Sequence, residues 1–257
     1  MKCNIGAEKE TNYGLFFQWG DTVGYDEDSA AAHSTLSTCP GNGGSSSNNE
    51  SALSTWGTAN LTSGVLNTSV DAAYVHTNGK AKMPTRTQCQ ELINGTNSKW
   101  TTIDGVTGIK FTNKSDSSKY IFIPAAGCFY EDVLSGKGSR GDKDSIVYVW
   151  SSSLDTSYIN NAYLLYSSMG IIETSSNPRY TALSVRGVAS SAELTLPSSS
   201  GTLALTSDVE AETTRAKAKE EELSTAIESK TIKAGNCITI SDDNTIGLQD
   251  TVIPATI

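Results

Sequence analysis

Two stretches in the first 188 residues carry apolar side chains at helical spacing, and much of the rest alternates as strands do. Leu66, Val70, Ala73 and Tyr74 recur with helical period, and Asn78-Gly79 supplies a stop. Thr85 and Gln88 form a capping box, Cys89, Leu92 and Ile93 share the apolar face behind it, and Asn94-Gly95 ends that helix. Trp100 to Phe111 reads as a hairpin turning at Asp104-Gly105. Tyr120-Ile-Phe-Ile123, Val147-Tyr-Val-Trp150 and the stretch Ala162 to Tyr166 read as strands. Pro40 to Ser54, rich in Gly, Ser and Asn, reads as a surface loop, and Phe129 to Tyr148 as another. Two helices and a mainly antiparallel sheet predict an α+β domain.

Beyond residue 188 the pattern changes. Residues 189–206 are small and polar with scattered Leu, and read as a β linker. Ser207 and Glu210 make a second capping box, and a charged Ala/Glu/Lys helix follows over 207–231. Val209, Ala216 and Leu223 recur every seven residues, a stripe so thin that the helix needs partner helices. In the tail, 232–257, Ile238/Ile240 and Ile246/Leu248 flank Asp242-Asp243-Asn244 and predict a small hairpin. The expected domains are therefore a head (1–188), a linker, a coiled-coil-like stalk and a β tail.

Composition narrows the function. The net charge of -9 argues against a nucleic-acid partner, which requires a basic face. No apolar run is long enough to insert in a membrane, and no secretory leader is visible at Met1. Five cysteines, an odd number without a CxxC pair, read as free thiols, with a Cys3–Cys39 bridge as the minor alternative. His33 and His76 are the only histidines, so neither a hydrolase triad nor a zinc set can be assembled. Asp142, Asp144, Asp242 and Asp243 read as turn residues before metal ligands, and Arg140-Gly-Asp142 as a turn-rich loop. No catalytic residues, metal or cofactor are expected.

Several segments, in order, are similar to the Fibrobacter succinogenes major paralogous domain, a branch of the C-type-lectin-like fold. They are Lys2-Cys-Asn-Ile-Gly-Ala7, Tyr13 to Asp21 around Phe16-Phe-Gln-Trp19, Met83-Pro-Thr85, Tyr120 to Gly127, Trp150-Ser-Ser-Ser153 and Ser184-Val-Arg-Gly187. The resemblance implies that these Trp and Gly residues lock loops onto the sheet and that a terminal strand closes the fold. It also implies a strand ahead of Cys3, which would make this a trimmed form. The sugar-binding calcium triplets of C-type lectins are absent: serines follow Trp150, and no acid precedes Asn177-Pro178. Sulfatase-modifying enzymes share the fold but need reactive cysteines that Cys128 alone does not supply.

Leu194 to Asp208 resembles a phage tail-fibre motif in which a short β segment leads into a trimeric helical stalk. The combination resembles the variable proteins of diversity-generating retroelements in gut phages. The comparable segment runs from Leu154 to Leu183 and is rich in Tyr, Asn, Ser and Thr, side chains suited to an adaptable binding surface. The candidate ligand-binding residues are Tyr158, Ile159, Asn160, Tyr163, Leu165, Ser167, Ile171, Ser175 and Thr181. The resemblance implies a homotrimeric fibre or receptor-binding protein, assembled in the bacterial cytoplasm, joined to other virion proteins and binding a bacterial cell-surface receptor. The alternative is a bacterial surface adhesion protein of the same family that binds glycan or protein.

Overall fold

The computed structural model describes residues 1–132, 137–189, 206–229, 238–240 and 246–248. The chain divides into two compact units, Met1–Glu193 and Leu194–Ile257. The first is mixed α+β with sheet predominant. In chain order it contains β1 (Phe16–Phe17), α1 (Glu50–Asn60), β2 (Leu61–Thr62), β3 (Val65–Leu66), α2 (Ala72–His76), β4 (Ala81–Lys82), α3 (Arg86–Gly95), β5 (Thr96–Ile103), β6 (Val106–Asn113) and β7 (Tyr120–Pro124). Then follow β8 (Cys128–Asp132), β9 (Lys137–Gly141), β10 (Val147–Leu154), β11 (Asn161–Ser168), β12 (Ile171–Pro178), β13 (Leu183–Ser184) and β14 (Val188–Ala189).

The main sheet runs β1-β13-β10-β11-β12, with β2 and β3 attached to the far end of β10. Both its faces are covered. Residues directly opposed in an antiparallel pair share a face. Trp150 and Leu164 are so opposed, and with Ala162 they pack into a core containing Phe17, Trp19, Ala73 and Leu183. Val149 and Leu165 point the other way, into a core built with Cys89 of α3 and Ile109, Phe111 and Ile123 of a second sheet, β5-β6-β7.

Two indoles hold the first core together. Trp150 Nε1 donates to the carbonyl of Phe17 and Trp19 Nε1 to that of Ser151, each at 2.8 Å, and both rings are fully buried. The bonds are reciprocal, so the segment after β1 and the middle of β10 are tied twice. Beside this tie β10 bulges: Trp150 opposes Leu164, yet Leu154 opposes Ala162. The intervening serines satisfy the diverted backbone. Ser151 Oγ donates to the Tyr163 carbonyl, Ser152 N to Pro84 O, and Ser153 Oγ accepts from Arg86 N.

Local signals explain the smaller elements. Thr85 and Gln88 form the reciprocal capping box of α3. Asp104 (φ 48°) and Gly105 (φ 79°) turn β5 into β6 with two left-handed residues, as a tight hairpin requires. The helix expected from Leu66 to Asn78 is instead β3, a 3-10 turn and one turn of α2. Leu66 pairs with Leu61, and Asp71 starts α2 by accepting from Tyr74 N while also holding Met83 N. The loop expected over Pro40 to Ser54 gives way to α1 from Glu50. Asn49 caps it, and buried Asn42 shapes the approach by donating to the carbonyls of Leu36, Ser45 and Ser47. Phe129 to Tyr148 likewise holds the paired strands β8 and β9 and the start of β10 in place of a loop.

The second unit contains α4 (Thr206–Ser229) and the antiparallel pair β15 (Ile238–Ile240) and β16 (Ile246–Leu248). Most of the expected β linker, 190–205, lies outside the described residues. No helix among the described residues is long and apolar enough to cross a membrane.

Cys3 and Cys39 are free thiols, which rules out the bridge between them; Cys89 and Cys128 are free as well. Burial pushes Cys39 up to about 11 and Cys89 and Cys128 up to about 12, so little thiolate forms near neutrality. In the native chain at pH 8, iodoacetamide followed by peptide mass spectrometry will label half-exposed Cys3 ahead of these buried thiols. Equal rates at the four would contradict the packing.

Candidate ligand surface

The segment Leu154 to Leu183 folds as the end of β10, a short loop, the β11–β12 hairpin and the return to β13. Its register sorts the candidate residues. Tyr148, Tyr166 and Glu173 stand in one row across β10, β11 and β12, and Trp150, Leu164 and Ser175 in the next. Ile171 lies on the same face, opposite Ser168. Since β12 is the edge strand, the outer members of these rows reach solvent: Ile171 is 50% exposed and Glu173 is exposed.

The loop before β11 is bonded to itself and to β11. Asp155 is buried, accepts from Ser157 N at 3.0 Å and receives the Tyr163 hydroxyl at 3.4 Å. Tyr158 N donates to the Asp155 carbonyl, and Asn161 N to that of Tyr158. Tyr158 itself projects outward, 67% exposed. Ile159 and Asn160 are half-buried, and Asn160 Nδ2 approaches Glu50 at 3.4 Å.

Arg179 fastens this loop. Its guanidinium packs against the rings of both Trp19 and Trp56, 4.9 and 4.7 Å from their centroids, while the two rings touch each other. Its backbone N donates to the Asn160 carbonyl, Nη2 to that of Pro40 at 3.1 Å, and Nη1 to that of Ile159 at 3.5 Å. No carboxylate among the described residues pairs with it; the aromatic faces and carbonyls stand in for a counter-ion. Burial lowers its pKa to about 10, which leaves it cationic at neutral pH.

Three of the expected contact residues belong to the interior. Leu165 is part of the core under α3. Ser167 is fully buried and donates to the Ile171 carbonyl across the hairpin, and Thr181 is buried where the chain returns to β13. Tyr163 is half-buried, with the Arg86 guanidinium 3.9 Å from its ring centroid, and shares the face of Leu165. The residues open to a partner are therefore Tyr158 of the loop and Ile171 of β12 and, in part, Ile159, Asn160 and Ser175. These form two groups: seven residue steps along β12 separate its ends by about 24 Å. Reading single residues missed Met169 (86% exposed, at the hairpin turn) and Glu173, which with Ile171 is an exposed position at the start of the edge strand.

Other candidates resolve into structural roles. Arg140 pairs with Glu27 and donates to Ala126 O, and Asp142 accepts from the Tyr148 hydroxyl at 2.9 Å, so the Arg-Gly-Asp tripeptide is engaged internally. Burial and that bond to Asp142 hold the Tyr148 hydroxyl protonated well above its usual range. Asp142 and Asp144, both at φ 63°, make the turn into β10. His33 stacks on Tyr25 at 3.7 Å, and the His76 ring bonds to Thr22 O. Among the described residues no group of three His, Cys, Asp or Glu side chains is placed to hold a metal ion.

Comparison of the chain with family models, curated proteins and solved structures gives no match. The functional reading therefore rests on the chain itself.

Denaturant unfolding of the head separates surface from frame. Tyr158→Ala and Ile171→Ser are expected to change stability by no more than about 0.5 kcal/mol. Leu165→Ala is expected to cost about 2–5 kcal/mol. Similar losses at all three positions would contradict the division.

Proposed function

We propose that this chain is a phage fibre or receptor-binding protein, with a C-type-lectin-like head that binds a bacterial surface molecule and a helical stalk that makes it a homotrimer. It acts by recognition and not by turnover. The observation that carries this reading is the division within the Leu154–Leu183 segment. Tyr158 and Ile171 can change chemistry without entering a core, because Asp155, Arg179 and the hairpin register hold their backbone. A surface of variable side chains on a fixed frame is what a diversified binding protein needs.

The stalk has separate support. A helix of 24 residues is about 36 Å long, and every side chain described in it, over residues 212–225, is exposed. Leu223 is 61% exposed. Arg215 with Glu212, and Lys219 with Glu222, pair along the same helix at i,i+3. Exposed pairs of this kind add little stability, so association through the Ala216 and Leu223 stripe is the natural source of order. Three heads on one stalk would raise avidity by effective concentration.

Light scattering on the full chain is expected to give a trimer, and on a truncation ending at Val188 a monomer. A full-length monomer would overturn the stalk reading. Fluorescently labelled full chain is expected to stain some members of a panel of gut bacterial isolates, and Tyr158→Ala with Ile171→Ser to reduce that staining at least tenfold. Staining unchanged by the double variant would move recognition away from this surface.

A further inference from the structure

β12 is an edge of the main sheet, and its free side carries unpaired backbone. The β11–β12 hairpin turns through only Met169-Gly170, with Ser168 opposite Ile171. A two-residue turn makes the residues that flank it a hydrogen-bonded pair, and such pairs then alternate along the ladder. Ile171, Glu173, Ser175 and Asn177 therefore aim their N–H and C=O at β11, and Ile172, Thr174 and Ser176 aim theirs away from the sheet. Two observations agree with this parity. The Ile171 carbonyl accepts from Ser167 Oγ of β11, and Pro178, which has no N–H to give, falls in the outward set opposite Asn161. Among the described residues no strand, bridge or loop backbone pairs with the outward groups of Ile172, Thr174 and Ser176.

Edges of this kind are ordinarily blunted by a lysine, a bulge, a short length or a covering segment. The head does so elsewhere. β5, an edge of the second sheet, carries exposed Lys99, and β1, the opposite edge of the main sheet, is two residues long and bridged by Tyr25. β12 has eight residues in unbroken register, no Lys or Arg, and a proline only at its last position.

We propose that β12 binds an extended segment of a partner protein as an added antiparallel strand. Its outward N–H and C=O groups recur at alternate residues, about 6.8 Å apart, a pattern that an extended polypeptide backbone matches and a glycan does not. Side chains set the sequence it takes: a basic residue opposite exposed Glu173, and an apolar one two residues towards the partner's C-terminus, opposite Ile171. A second copy of β12 fits worse. In the antiparallel register that pairs all of the outward residues, Thr174 faces its own copy, the two Glu173 carboxylates lie diagonally across one face, and Ile171 meets Asn177. The inference rests on the receptor-binding reading and makes the bacterial ligand a protein segment.

The whole chain, labelled with ¹⁵N, is titrated with the acetylated and amidated peptide Thr-Thr-Thr-Lys-Val-Ile, whose lysine falls opposite Glu173 and whose last residue falls opposite Ile171. Saturable shifts are expected at the Ile172, Thr174 and Ser176 amides, with hydrogen exchange there slowed at least tenfold. N-methylation of the peptide's third and fifth residues removes N–H groups that face β12 and is expected to weaken binding at least tenfold. N-methylation of the second and fourth, which face away, should leave it within about threefold. No saturable shift up to about 10 mM peptide, or equal weakening by the two methylation patterns, would overturn the proposal. In the staining assay Thr174→Pro, which removes one outward N–H and leaves the β11 ladder intact, is expected to reduce staining at least tenfold. Full staining by the folded variant would contradict strand addition as the mode of receptor binding. If the wild-type chain stains no isolate, the receptor reading fails, and the titration still decides strand addition by itself.

Discussion

The head depends on one reciprocal tie. Trp150 gives its indole proton to the Phe17 carbonyl and Trp19 gives its own to Ser151, so two chain segments more than a hundred residues apart are fixed at two points inside one core. A buried indole N–H without a partner would cost roughly 1–3 kcal/mol. Each bond therefore selects the arrangement in which both segments are in register. The bulge at Ser151–Ser153 follows from the same tie. The strand must present Trp150 to the core and the Ser151 carbonyl to Trp19, then turn to pair Ser153 with Val65. Gly20 contributes by lacking a side chain: at φ +87° a Cβ would meet the Trp56 ring at 2.6 Å.

Around that tie the head manages two buried arginines without buried carboxylates. Arg179 uses tryptophan faces and loop carbonyls, and so joins the Tyr158–Asn160 loop to the core that Trp19 organises. Arg186 uses Asn4 and Phe122, and so joins the opening segment of the chain to β7. Ile5 N on the Val185 carbonyl closes the same seam. Charge here serves as a planar set of donors that bridges carbonyls too far apart for a backbone bond, which suits guanidinium better than ammonium.

The sequence was most legible where a feature is local. The Thr85–Gln88 box and the Asp104-Gly105 turn are decided by adjacent residues, and both form as read. Legibility failed where a distant partner decides. Leu66 to Tyr74 carries helical spacing, but the strand it opens is claimed through Val65 by Ser153 of β10 and Asp71 by Met83, and the helix shrinks to one turn. α1 was hidden by its own composition, since Ser, Thr, Gly and Asn read as loop until Asn42 and Asn49 are seen to organise it. In the candidate surface, side-chain chemistry located the segment but could not tell Leu165 from Ile171. Only the sheet shows that Leu165, opposite Val149 of β10, enters the core under α3, while Ile171 starts the edge strand and reaches solvent. Arg179 gave no local sign, because its partners lie at Trp19, Pro40 and Trp56.

These elements amount to a rigid frame that holds open positions, and recognition by the proposed surface requires that difference in stability. Hydrogen exchange of the native head, followed by NMR, measures it directly. The indole Nε1–H of Trp19 and Trp150 and the amides in the β10–β11 ladder should exchange only through global unfolding, while the Met169 and Gly170 amides at the hairpin turn exchange orders of magnitude faster. Indole protons that exchange as quickly as the turn would contradict the tie, and with it the fixed frame on which the binding surface stands.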